Sequence, residues 1–224
     1  MRYIYPRHEE SDGAINRLGL PRLFAYPHVP KTDSFFIMDS GAYALSIRKQ
    51  KMTTSHMVKL SAHYAKYYRD NCICIAPDEF KNPFVSMRNW AMWHASGLFE
   101  HITPVIQATK NYSIELTQLF NQVDFYTQSR KVRTMCFSNN GLRGEDAKAQ
   151  RLYSLFHYMR RKGVQYIHVL GAGWGIDDIK KWQQVGGWDS MDSIACYTNP
   201  ADYGASTPLE AVERIEACFQ GLDT

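Results

Sequence analysis

The chain has 224 residues, of which 45% are hydrophobic and 21% charged, an ordinary globular composition with enough length for one large α/β domain. Its formal net charge of +4 is mildly basic. That is compatible with a face that holds phosphates, but it does not by itself point to nucleic acid. No stretch approaches the roughly 18 apolar residues of a membrane span, and the N-terminal MRYIYPRHEE lacks the apolar core of a signal peptide. A soluble, cytoplasmic protein with no membrane partner is therefore expected. The five cysteines (Cys72, Cys74, Cys136, Cys196 and Cys218) are scattered and odd in number, as in a reduced compartment. Cys72 and Cys74 are spaced C-x-C without a second pair at metal-ligand spacing, so no metal is expected.

In chain order, short β-branched or aromatic runs alternate with longer helical ones. Strands are predicted over residues 35–39, 72–77, 103–107, 132–138, 164–170 and 193–196, with helices over 54–69, 83–96, 114–122, 145–161, 177–184 and 208–220. Two more strands are candidates at 3–5 and 23–26. The last helix carries a start signal: Thr207 as cap, Pro208 at the first helical position, and Glu210 placed for a capping box. Strand–helix alternation implies parallel strands with right-handed crossovers. Eight units would close a TIM-type (β/α)8 barrel in one domain over residues 1–224; six could equally form an open doubly wound sheet. Polar residues recur at the strand ends, and in a parallel barrel those ends converge on one face, where active sites are built.

The motifs at those ends each carry two readings. Asp39-Ser40-Gly41-Ala42-Tyr43 ends an apolar strand in a carboxylate. It places an acid at a pocket rim, or it caps a helix. Asp78-Glu79 follows the next strand; because Asn82-Pro83 is the better helix start, Asp78 is free to accept from the N–H edge of a guanine-like base. Gln107 ends a strand, and residues 139–144 form a polar, glycine-bearing turn containing Gly141 and Leu142. The run His168-Val169-Leu170-Gly171-Ala172-Gly173-Trp174-Gly175 resembles a phosphate-cradling loop but lacks the G-x-G-x-x-G spacing and any G-K-[ST], so it is not expected to bind a nucleoside triphosphate. Asp189-Ser190-Met191-Asp192-Ser193 brings two aspartates to a strand entry, which is costly unless they are paired or functional. Basic runs at 48–51, 130–133 and 160–162 could meet phosphates, although the third suits a helix C-terminus. Phe84, Met87, Trp90 and Trp93 form an apolar helix stripe that belongs in the core.

Taken in order over residues 39–193, these motifs resemble the tRNA-guanine transglycosylase superfamily. The family's Asp-Ser-Gly-Gly-aromatic, Asp-Glu, Val-Gln, Gly-Leu, Leu/Met-Gly-x-Gly and Asp-x-x-Asp segments are matched by Asp39–Tyr43, Asp78-Glu79, Val105-Ile106-Gln107, Gly141-Leu142, Leu170–Gly173 and Asp189–Asp192. Ala42 replaces the second glycine, Ala44 stands where the family has Gln, and the C-x-C-x-x-C zinc set of the tRNA enzymes does not occur. The compact pattern is most similar to the zinc-less DNA 7-deazaguanine transglycosylases (DpdA-type), which include phage-encoded forms; for those the location would be the host cytoplasm. The resemblance implies exchange of guanine in DNA for a 7-deazaguanine derivative such as 7-cyano-7-deazaguanine, without cofactor or metal. Asp192 would be the nucleophile and Asp39 the general acid/base. Ser40, Tyr43, Asp78, Gln107, Gly141, Leu142, Leu170 and Gly171 would bind the base. The implied partners are DNA, alternatively tRNA, and a free 7-deazaguanine; a homodimer is left open. Alternatives are a tRNA-directed enzyme, a base-releasing N-glycosidase, and a non-catalytic partner subunit that binds deazaguanine or nucleic acid.

Overall fold

The computed structural model describes residues 1–9, 11–108, 116–138, 146–172 and 175–221. Eight strands, β1 (Arg2–Pro6), β2 (Arg22–Ala25), β3 (Phe36–Asp39), β4 (Cys72–Cys74), β5 (Val105–Gln107), β6 (Thr134–Ser138), β7 (Tyr166–Leu170) and β8 (Ser190–Asp192), pair in the order β4-β3-β2-β1-β8-β7-β6-β5. Every pairing is parallel. The two edge strands then meet: Ile75 and Thr103 form a parallel bridge, with Ala76 N–H donating to the Thr103 carbonyl (2.8 Å) and Thr103 N–H to that of Cys74 (2.7 Å). The ring closes as a TIM-type (β/α)8 barrel. Both N-terminal strand candidates are strands, which completes the set of eight.

The helices are α1 (Asp12–Arg17), α2 (Ala42–Ile47), α3 (Thr54–Tyr67), α4 (Pro83–Ala95), α5 (Leu116–Ser129), α6 (Asp146–Arg161), α7 (Ile176–Val185), α8 (Ala195–Thr198) and α9 (Pro208–Phe219), with a 3-10 turn at Pro200–Tyr203 before the last. Their starts follow local chemistry. Asn82 accepts from Val85 N–H with Pro83 at the first helical position, which leaves Asp78 uninvolved in that cap. Thr207 accepts from Glu210 N–H, but the Glu210 carboxylate reaches Ser206 N–H rather than completing the box at Thr207. In the α4 stripe, Trp90 and Trp93 are buried as expected, whereas Phe84 is 76% exposed at the first turn.

Alternation along each strand divides the apolar residues into two layers. Ile4, Leu23, Ile37, Ile73, Ile75, Val105 and Cys136 fill the barrel interior, with Phe35, Tyr166 and Leu170 against them. The opposite faces, including Tyr3, Tyr5, Phe24, Met38, Met135, Phe137 and Met191, pack under the helices.

One predicted strand is corrected. Residues 193–196 are not a strand: the last strand is Ser190–Asp192, and α8 begins at Ala195. β8 must pair with β1, which it does through Arg2↔Ser190, Tyr3↔Met191 and Ile4↔Asp192. The chain then turns, with Ser193 Oγ accepting from Ala195 N–H at 3.1 Å. The apolar run after Ser193 packs one helical face, burying Ala195, Cys196 and Tyr197 and leaving Ile194 exposed. The correction matters for chemistry. Asp192 is not at a strand entry; it is the last residue of β8, at the same end of the barrel as Asp39.

Candidate active site

Two-residue periodicity places the site residues. Asp39 follows inward-facing Ile37 by two positions, Gln107 follows Val105, Ser138 follows Cys136, and Asp192 pairs in register with inward-facing Ile4. The mouth of the barrel is thus lined by Asp39, Gln107, Ser138, Leu170 and Asp192, with Asp78 just past β4.

Asp39 leads into a tight turn. Its Oδ2 accepts from Gly41 N–H at 3.3 Å, and Ser40 Oγ accepts from Ala42 N–H at 3.3 Å. Gly41 has φ +76°, and a Cβ there would lie 3.0 Å from the Tyr26 carbonyl oxygen, so only glycine fits without strain. The N-cap position of α2 is Gly41 itself; neither Asp39 nor Ser40 is consumed as a helix cap.

Asp78 is held by two side-chain donors. Ser40 Oγ donates to Oδ1 at 2.9 Å, and Gln107 Nε2 donates to Oδ2 at 2.6 Å. Gln107 is fully buried and its carboxamide is oriented by Lys81 N–H, which donates to Oε1 at 2.6 Å. Gln122 clamps the Gln107 backbone from α5, accepting from its N–H and donating to its carbonyl, both at 2.9 Å. Ser40, Asp78 and Gln107 therefore form one connected array, with Gln107 acting on Asp78.

Burial and like charge disfavour ionisation here. The enclosed setting of Asp39 raises its carboxyl to about 6, against backbone donation from Gly41 and with a further upward push from Asp192. Burial raises Asp78 to about 7, with Asp39 adding to the shift. The Cys136 thiol beneath them is pushed well up by burial and then by Asp192, Asp39 and Asp78. Across the mouth, Asp192 thus acts on Asp39, and Asp39 on Asp78.

Asp192 has a different shell. Its Oδ1 accepts from Gly171 N–H and lies next to His168 Nε2, both at 3.1 Å. Asp189, three residues earlier, belongs to neither acid group: Arg160 Nη2 donates to its Oδ2 at 2.7 Å and Ile167 N–H at 2.6 Å. Its cost in the strand is met by pairing, and the basic run at 160–162 is to that extent structural.

Of the other predicted residues, Tyr43 lies on α2, 59% exposed, with its ring edge-on to Phe80 at 5.2 Å. Leu170 is partly exposed above the interior layer. Gly141 and Leu142 lie outside the described residues. His168 was not singled out by sequence reasoning; its signal was a polar residue at an inward position of an otherwise apolar strand. A cavity of about 430 Å³ lies beside the barrel rather than between the aspartates, lined by residues that include Arg7, Asp12, Arg22, His28 and Lys31. Among the described residues, no helix is long and apolar enough to cross a membrane.

No family model and no curated protein matches the chain. Among solved structures, it is similar to the carboxyl transferase domain of Rhizobium etli pyruvate carboxylase, with 12% identity and a TM-score of 0.47 over 95% of this chain; it spans 39% of that one. It is also similar to the YdjI aldolase of Escherichia coli K12, with 10% identity and a TM-score of 0.44 over 99% of this chain and 87% of that one.

Proposed function

We propose that the chain is a guanine transglycosylase, exchanging guanine in a nucleic acid for a 7-deazaguanine base through a covalent aspartyl-glycosyl intermediate. The observation that carries this reading is the placement of Asp39 and Asp192, 153 positions apart in sequence, at the mouth of one barrel, close enough that Asp192 pushes the Asp39 carboxyl up. A pair of carboxyl groups in unlike surroundings is the arrangement that glycosyl transfer with retention requires.

In the first half-reaction Asp192 attacks C1′ of a guanosine flipped into the mouth. The C1′–N bond breaks, its electron pair leaves with the base, and Asp39 delivers a proton to the departing ring. A carboxyl with a pKa of about 6 holds that proton near neutrality far better than an ordinary aspartate. In the second half, the incoming base gives its proton to Asp39 and attacks C1′, and Asp192 leaves as a carboxylate. Asp78, held by Ser40 and Gln107, is the acceptor for the base's N–H edge. Tyr43 offers an exposed ring for stacking, a contact worth about 1–3 kcal/mol per base. DNA is the proposed acceptor and 7-cyano-7-deazaguanine the representative incoming base.

The test is exchange of radiolabelled guanine into DNA and, separately, into tRNA, followed by replacement with unlabelled 7-deazaguanines. Incorporation into DNA supports the reading. Incorporation into tRNA alone reassigns the acceptor, release of base without replacement makes the protein an N-glycosidase, and no turnover with bound deazaguanine makes it a binding subunit.

A further inference from the structure

A second feature of the barrel interior is a continuous line of polar side chains, half-buried at its start and buried beyond, running from the opposite end of the barrel to Asp192. It begins at Arg2 on β1, whose guanidinium lies 3.9 Å over the Phe35 ring. Arg2 Nε and Nη2 both donate to Tyr166 Oη, at 3.2 and 3.1 Å. Tyr166 Oη donates to Ser190 Oγ at 2.8 Å. Ser190 Oγ lies 2.8 Å from His168 Nδ1, and His168 Nε2 lies 3.1 Å from Asp192 Oδ1. Ser190 and His168 have no exposed surface. The line is built by strand register, since Arg2 pairs with Ser190, Ser190 with His168, and Ile4 with Asp192.

Donor counting fixes its direction. Arginine only donates, so Tyr166 Oη, which takes two guanidinium N–H groups, sends its own hydrogen to Ser190. Ser190 Oγ, having accepted from Tyr166, sends its hydrogen to Nδ1. His168 is then a neutral ring with its one hydrogen on Nε2, pointed at Asp192. In the opposite tautomer, an imidazole lone pair would face a carboxylate oxygen and the Ser190 hydrogen would have no partner among the described residues. A doubly protonated ring would leave that serine hydrogen equally without a partner. A buried hydroxyl left without a partner is unfavourable, because it has given up its bond to water and gained none in return.

From this we propose that His168 is the positioning residue of the nucleophile, a neutral Nε2–H donor that, with Gly171 N–H, engages Asp192 Oδ1 and leaves Oδ2 to attack the sugar. The inference rests on the transglycosylase reading for its function and on geometry alone for its tautomer. In the first step, Oδ2 bonds to C1′ as the C1′–N bond breaks. Oδ1 becomes the carbonyl oxygen of the ester and keeps both donors. In the second step, the C1′–Oδ2 bond breaks, its electron pair returns to Asp192, and the charge spreads onto Oδ1 where two N–H groups already stand. Asp39 on β3, Tyr3 on β1, Cys136 on β6 and Cys196 on α8 also act electrostatically with Asp192, and His168 itself acts on Asp39.

The experiment has two arms on the full chain. Nitrogen-15 NMR of the imidazoles, with the His168 signal assigned by its loss in His168→Gln, should give a pyridine-like Nδ1 and a protonated Nε2. A protonated Nδ1 overturns the proposal, and this arm stands even if no exchange activity is found. In the kinetic arm, His168→Phe should lower kcat for base exchange on the order of 10²-fold with little change in KM, and move the acid limb of the pH profile upward. His168→Gln, whose side-chain amide can still donate, should recover part of the rate. A His168→Phe protein with wild-type kcat and pH profile, whatever its melting temperature, refutes the assignment. If wild-type exchange itself is absent while the NMR result holds, the tautomer stands and the transglycosylase reading falls.

Discussion

Two corners of the same barrel mouth surround a carboxylate with different neighbours. At the β3–β4 corner, Asp39 and Asp78 lie close enough to repel, in surroundings poor in solvent, and both are driven toward the protonated state. At the β7–β8 corner, Asp192 Oδ1 accepts from Gly171 N–H and lies 3.1 Å from His168 Nε2. One corner crowds two carboxyl groups together; the other sets a carboxylate against a backbone donor and an imidazole. The contrast shows that the strand ends alone do not assign roles to the three aspartates. The neighbours at each corner do.

The comparison can be broken most severely at the β7–β8 corner. Asp192→Ala should abolish base exchange by about 10⁴-fold or more, because it removes the proposed nucleophile itself. Retained exchange in a single-turnover assay would show that the anion is elsewhere. The next effect belongs to the protonated corner. Asp39→Asn should cost about 10²–10⁴-fold in exchange, and should remove the alkaline fall in rate centred near pH 6 that loss of the Asp39 proton produces in the native enzyme. If the variant kept the native pH profile, Asp39 would not be the acid.

A smaller effect separates Asp78 from Asp39. Asp78→Asn removes an acceptor from the Ser40–Gln107 array and should weaken binding of the free base about tenfold, with a lesser effect on the chemical step; equilibrium binding of a deazaguanine measures it. If Asp78→Asn abolished exchange while Asp39→Asn spared it, the two roles would be exchanged.

The smallest effect is on stability. The folded carboxyl of Asp39, at about 6, lies above the unfolded value of about 3.9. Its contribution to stability is therefore fully present below pH 3.9 and is lost as pH rises through 6, where folding must accommodate a charge it disfavours. Asp39→Asn should gain about 1–2 kcal/mol at pH 8, a few degrees in Tm, and nothing near pH 4. Equal gains at both pH values would mean that Asp39 is not held protonated by the fold.

The barrel was largely legible in the sequence because strand and helix periods differ and because Asn82-Pro83 and Thr207-Pro208 mark helix starts. Closure was not legible. It depends on β1 and β2, whose short runs around Tyr3–Tyr5 and Leu23 carry little pattern, and on a single bridge between Ile75 and Thr103. The last strand was misplaced because Ile194-Ala195-Cys196-Tyr197 is apolar enough for a strand, while pairing with β1 selects Ser190–Asp192. Asp39 and Asp78 stood out as acids at strand ends. Their mutual repulsion was invisible, since it arises from a register that joins β3 to β4. Gln107 was read as touching a ligand; that its carboxamide also bridges Lys81 N–H and Asp78 could not be seen before β4 and β5 were brought together. His168 was hidden for a similar reason. Only its alignment between Ser190 and Asp192, both on the neighbouring strand, turns a buried histidine into part of a site.

The central claim is that Asp192 becomes covalently attached to a sugar. Incubating the protein with DNA in the absence of an incoming base, quenching with denaturant, digesting, and sequencing the adducted peptide by mass spectrometry addresses it directly. The account predicts a nucleoside-sugar adduct on the peptide containing Asp192, discharged when a deazaguanine is added before the quench. An adduct on Asp39 or Asp78, or base release with no adduct on any residue, would contradict it.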